Sequence, residues 1–129
     1  MRIATIMARI LLGLIFVFFG SNAFLHFLPR PTMPPSPAER FLTSLVESRY
    51  VLVIGGTQVL GGLLLLINRY VPLALAILGP VIVNIISYHV FMSMAGVPLA
   101  ILAVILWGFL FYSYRQHFSG LFVQRAQPN

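Results

Sequence analysis

The sequence has no cysteine, no lysine and only two acidic residues, Glu39 and Glu47. Without cysteine there is no disulfide, no thiol nucleophile, no iron–sulfur ligation and no thiolate metal site. The chain is therefore not itself a dithiol oxidoreductase. Neither carboxylate lies inside an apolar run, so a proton relay through Asp or Glu within a membrane is not available. No glycine-rich phosphate loop and no nucleophile–base pair is present, and no catalytic residue is assigned. Metal ligation would have to use His26 and His89, with no carboxylate or thiolate near either, and no metal site is assigned. The basic residues are eight arginines giving a net charge of +6. They form no cluster and have no soluble face to present, which argues against nucleic acid as a partner and for topology and anionic headgroups.

What the chain does have is apolar length. It is 60% hydrophobic and 8% charged, with a mean hydropathy of +0.98 over 129 residues. Soluble domains are about 45–50% apolar and about 25% charged. The composition predicts a single small membrane domain, residues 1–129.

The centre of the pattern is Gly55-Gly56-Thr57-Gln58-Val59-Leu60-Gly61-Gly62, inside an apolar segment. On a helix Gly55, Gln58 and Gly62 fall on one stripe, with Gly61 beside it. Small residues at this density mark a helix whose neighbours approach closely in lipid. Around it the sequence predicts spans at about 10–28, 50–67, 70–91 and 97–114, each near the ~20 residues that a crossing needs. Residues 10–28 also admit a rival reading, a secretory signal with Ser21-Asn22-Ala23 as cleavage site. The apolar character continuing through Phe24, Leu25, Phe27 and Leu28 places that reading second.

Five prolines between Pro29 and Pro37 predict a helix-free crossing. It ends in Ser36-Pro37-Ala38-Glu39, a capping-box spacing with proline at the first helical position. A helix at about 37–48 follows, with Phe41, Leu42, Leu45 and Val46 as an apolar stripe. It is too short and polar to span and is read as interfacial. Asn68-Arg69 is a short turn, and Gly79-Pro80 is expected to kink the third span. Val-Pro-Leu-Ala at 71–74 and again at 97–100 is shared helix-start chemistry, not a repeat. Residues 115–129 read as a polar tail.

Four spans put both termini on one side. Arg2, Arg9, Arg69, Arg115 and Arg125 share it, against Arg30, Arg40 and Arg49 opposite. This predicts cytoplasmic termini in a bacterial inner membrane. Arg9 is expected to snorkel to the inner interface. Tyr70, Tyr112 and Tyr114 then mark the inner boundary and Tyr50 the outer.

With that orientation Asn22, His26, Gln58, Asn84 and Tyr88 converge in the outer half. Gln58 lies roughly 12 Å below Tyr50 at 1.5 Å per residue. The functional reading is a small polar pocket for an amphipathic ligand such as a quinone, lidded by the proline-rich crossing and the short helix. The competing reading is interhelical hydrogen bonding, at about 0.6 kcal/mol per group. His26 has a further alternative, contact with headgroups. His89 points about 140° from Asn84 on an ideal helix, which disfavours a haem held by His26 and His89.

These elements together resemble the DoxX family of small bacterial membrane proteins. The resemblance rests on Asn22-x-x-x-His26-x-Leu28-Pro29, the proline-rich link with its short helix, and Gln58-x-x-Gly61-Gly62-Leu63-Leu64-Leu65-Leu66. It continues in Arg69-Tyr70-Val71-Pro72-Leu73-Ala74, in Pro80-x-x-x-Asn84 and in Tyr88-His89. It covers roughly residues 10–114 and implies an all-α bundle of four transmembrane helices. It also implies a link to respiratory or thiol redox complexes, such as the small subunits of thiosulfate:quinone oxidoreductase. With no cysteine, the sulfur chemistry does not carry over. The expected function is a non-catalytic subunit or binding module of a quinone-linked membrane redox system, partnered by the lipid bilayer and by a quinone or a redox protein. A quinone-linked oxidoreductase in its own right, or a small dimeric transporter, is the alternative, and a homo-oligomer is compatible with either.

Overall fold

The structure is a computed structural model that describes residues 2–30 and 32–129. The described residues are all-helical. In chain order they form α1 (Arg2–Leu25), α2 (Pro37–Glu47), α3 (Tyr50–Leu66), α4 (Val71–Phe91) and α5 (Val97–Ser113), then a 3-10 helix (Arg115–Phe122). α1 and α4 are each long and apolar enough to cross a membrane. The number of spans rises to four when α2–α3 and α5 with the 3-10 helix, each bent by 84°, are counted as one span apiece. The long helices close a ring in which α1 packs on α3, α3 on α4, α4 on α5 and α5 on α1.

The glycine stripe is where two helices meet. α1 and α3 run antiparallel, with Gly13 opposite Gly62 and Gly20 opposite Gly55. A Cβ built on Gly62 would lie 2.8 Å from the Gly13 carbonyl oxygen, and one on Gly55 2.8 Å from that of Gly20. Backbone meets backbone there, with Ala23 Cβ and Val17 Cγ2 closing the same contact from α1. Gly61, one position round the helix, faces α4 instead: its Cβ would meet Leu78 Cγ at 2.6 Å. One helix thus serves two close neighbours through two adjacent glycines.

The start of α1 corrects the expected boundary at Ile10. The helix begins at Arg2, because two arginines in the first turns do not stop a helix that otherwise packs. Arg9 is 8% exposed and does not snorkel. Its Nη1 donates to the carbonyls of Leu65 and Leu66 at the end of α3. That end has already turned: Asn68 takes the left-handed conformation (φ 57°). The Arg69 N–H then reaches Leu64 O, and the Asn68 N–H reaches Leu65 O. This is a Schellman closure. The guanidinium adds the Leu66 carbonyl, which the closure leaves over, and brings positive charge to the negative end of the helix dipole.

α2 begins where the capping spacing places it. Ser36 Oγ accepts from the Glu39 N–H at 3.2 Å with Pro37 in the first turn. The carboxylate half of the box is used differently: Glu39 Oε1 accepts from Thr43 Oγ1 at 2.9 Å, and Arg30 donates to the same hydroxyl. The crossing is thereby tied to α2. Its described residues form no helix, and Pro31 lies outside the described residues, as does Met1 at the start of the predicted basic segment. α4 runs unbroken through Pro80, and one turn before it Trp107 Nε1 donates to Leu75 O at 2.9 Å.

The predicted polar tail is partly folded. Phe118 of the 3-10 helix is buried and meets Phe111, which stacks on Trp107. Isolated apolar residues among polar ones gave no periodic signal. With Leu12, Leu65, Leu75 and Leu110, Phe118 fills the end of the ring that holds both termini. The opposite end is open, and the cavities lie there.

Candidate ligand site

A cavity of about 730 Å³ opens between α2, α3 and α4, within the ~300–1,000 Å³ usual for small-molecule sites. Its walls are mostly apolar. α2 supplies Phe41, Leu42 and Leu45, α3 supplies Ile54, and α4 supplies Val81 and Ile85. The amphipathic stripe of α2 therefore faces a protein cavity. α2 lies across the end of α3 because Ser36 starts it there and the 84° bend at residues 48–49 turns the chain into α3. It is the roof. The proline-rich crossing, expected to share that role, does not line the cavity.

Three of the five expected polar residues meet in this cavity: Gln58, Asn84 and Tyr88. Gln58 is half-buried, and among the described residues its amide has no hydrogen-bond partner. Asn84 Nδ2 donates to Pro80 O, one turn back on its own helix, at 2.8 Å. That bond uses a carbonyl near the proline and leaves the Asn84 side-chain oxygen facing the cavity. Tyr88 lies against Phe41 of the roof, ring centroids 5.6 Å apart and 30° between planes. The two rings hold α2 to α4.

Asn22 and His26 do not join them. Asn22 Oδ1 accepts from the Leu28 N–H at 2.8 Å, and its backbone carbonyl accepts from the His26 N–H at 2.9 Å. Asn22 closes α1 instead of facing α4. His26 sits at the left-handed position just past the helix end (φ 53°), a place that glycine or asparagine usually takes. It is exposed and lines a separate, smaller cavity. The expectation failed because shared depth was taken for shared location: α3 lies between the two groups.

His89, excluded by its helical angle, is at the main cavity. Its ring contacts Tyr88 edge-on at 5.1 Å, and its Nδ1 lies 3.2 Å from Ser93 O beneath the turn into α5. A long side chain one position along from Tyr88, near the end of a helix, reaches round the rim. His26 and His89 stand at different cavities. The apolar stripe of α2 was the signal for the roof residues, and His89, though noted in the Tyr88-His89 pair, was set apart from the pocket by its ideal helical angle.

Comparisons of the chain with family models, with curated proteins and with solved structures found no match.

Proposed function

We propose that the chain is a membrane binding module, DoxX-like in plan, that holds an amphipathic quinone- or lipid-like ligand between α2, α3 and α4. The observation that carries this reading is Gln58. An amide facing an apolar cavity without a protein partner costs several kcal/mol in hydrocarbon. A carbonyl-bearing headgroup accepting from Gln58 Nε2 offsets that cost, while the apolar walls take a ring or chain. The membership of a quinone-linked redox system rests on the order and spacing of the sequence motifs quoted above.

The test is a thermal midpoint in mild detergent, with and without a soluble quinone analogue, for wild type, Gln58→Leu and Asn84→Leu. A ligand that binds only the folded state at a hundred times its Kd adds about 2.7 kcal/mol. The wild type is expected to gain several degrees. Both variants are expected to keep the wild-type midpoint without ligand and to lose the gain, because neither side chain bonds another helix. No shift for the wild type with any quinone or lipid, together with lower basal midpoints for both variants, would replace the ligand site by a structural network.

The five-to-three arginine distribution supports cytoplasmic termini. A reporter active only in the periplasm, fused after Asn129, is expected to stay silent. A strong signal would reverse the orientation and turn the open end of the ring to the cytoplasm.

A further inference from the structure

A second cavity, about 400 Å³, lies on the other side of α3, where α1 ends, α2 ends and α3 begins. Phe24, Val46, Val51 and Leu52 make an apolar wall, and His26 and Arg49 are its ionisable residues. We propose that it binds the headgroup of an anionic phospholipid, with Arg49 and His26 on the phosphodiester and the apolar wall against the glycerol and the first acyl carbons.

Charge is the first argument. Neither acidic residue of the chain lines this cavity, and Glu39 is engaged with Thr43. Among the described residues, neither the Arg49 guanidinium nor the His26 imidazole has an ion pair or a side-chain hydrogen bond. Two basic residues lining one cleft with no internal acceptor fit a phosphate, since an arginine takes phosphate oxygens in a fork. A zwitterionic headgroup would bring a second cation that finds no carboxylate. The start of α3 adds to the field through its dipole, with Arg49 as its N-cap making no side-chain cap bond and Ser48 Oγ accepting only from the Tyr50 N–H.

The backbone is the second argument. His26 (φ 53°) and Arg49 (φ 64°) are both left-handed. Asparagine takes that conformation at lower cost. Histidine is itself enriched there, so it is Arg49 that holds a conformation the backbone alone does not favour, as residues at functional sites do.

Position is the third. The cavity sits at the end of α1, which is long and apolar enough to cross a membrane, so it lies at the level of lipid headgroups. The apolar wall separates a lipid from free phosphate, which would leave that wall uncovered.

The experiment uses the full chain in mild detergent with dioleoylphosphatidylglycerol, dioleoylphosphatidylcholine or inorganic phosphate added. Thermal midpoint and native mass spectrometry are the readouts. The double variant His26→Asn/Arg49→Asn removes both donors and eases the backbone. Arg40→Gln, on exposed α2 surface outside both cavities, controls for the loss of a charge. Phosphatidylglycerol alone is expected to raise the wild-type midpoint by several degrees and to remain bound as one molecule. The double variant is expected to match or exceed the wild-type basal midpoint and to lose that rise, while Arg40→Gln keeps it. An equal rise with phosphatidylcholine, a rise retained in the double variant, or a rise reproduced by inorganic phosphate overturns the proposal. If the double variant does not fold, Arg49→Gln is read for the same loss of the retained lipid. This cavity is independent of the one under α2, so failure at either leaves the other standing.

Discussion

Gly62→Leu is expected to destabilise the protein severely, and Gly79→Ala to change it little. At Gly62 the first added atom already lies 2.8 Å from the Gly13 carbonyl oxygen and 3.0 Å from the Val17 amide nitrogen. Those are backbone atoms of α1, and they move only if the helix moves. Overpacking costs about 1–3 kcal/mol where side chains can shift. Here the Val17 side chain can shift, but the Gly13 carbonyl and the Val17 amide cannot, and separating α1 from α3 to admit four heavy atoms also draws apart Gly20 and Gly55. The loss should exceed that range, up to failure to assemble. At Gly79 the new methyl meets the Trp107 ring at 3.3 Å, a contact that a few tenths of an ångström relieve. Alanine also regains up to about 1 kcal/mol of helix propensity. Thermal unfolding in detergent compares the two directly. Equal losses would mean that the α1–α3 contact is not the tightest in the ring.

Arg9→Met is expected to cost about 2 kcal/mol, from charge-assisted bonds worth about 1.5–3 kcal/mol net. Methionine keeps most of the apolar volume, so the loss reports the two carbonyls of α3 that the guanidinium holds. Removing a buried cation also recovers its desolvation cost, which sets the figure at the lower end. Arg9→Lys should fall between the two, since both bonds come from the one nitrogen Nη1 and an ammonium can replace it only on a shorter, more strongly hydrated side chain. The decisive control is lipid charge. A snorkelling arginine binds headgroups, and its loss would matter more in anionic bilayers than in neutral ones. A buried helix cap predicts the same loss in both. Wild-type stability for Arg9→Met, or a loss seen only in anionic lipid, would remove the capping role.

Why Arg9 was misread marks the limit of a sequence reading here. The start of α2 and the turn after α3 were legible, because Ser36, Pro37 and Asn68 act on their own neighbours, whereas the start of α1 and the 3-10 helix, which lack such signals, were not. The face of α3 that meets another helix was legible as well, since small residues at helical spacing have few other uses in an apolar segment. Its partner was not assigned, although Gly13 and Gly20 have the same seven-residue spacing as Gly55 and Gly62. What Arg9 touches depends on where another helix ends, 56 residues away, and no local pattern carries that. The same holds for the polar residues. Depth along each helix put Asn22, His26, Gln58, Asn84 and Tyr88 at one level. Azimuth around the ring, which tertiary contacts decide, divided them between a cap, an anion-seeking cleft and the cavity under α2.

The two right-angle bends have a mechanical consequence. α2 turns off the start of α3, and the 3-10 helix turns off the end of α5, each by 84°. Hairpin turns make α3 and α5 parallel, so the two crosspieces sit at opposite ends of the ring. The struts between them have 17 residues each, about 25 Å of helix at 1.5 Å per residue. A typical hydrocarbon layer is about 30 Å thick. In the four-span plan proposed above, a crosspiece at each end would rest on the surface, resist piston movement in both directions and leave little freedom to tilt. The remaining accommodation is for the bilayer to thin beside α3 and α5. α1 and α4, at 24 and 21 residues, match or exceed the full thickness. In that plan the protein would impose an uneven collar of lipid, shallowest along α3, where a headgroup would be drawn down toward the cavities.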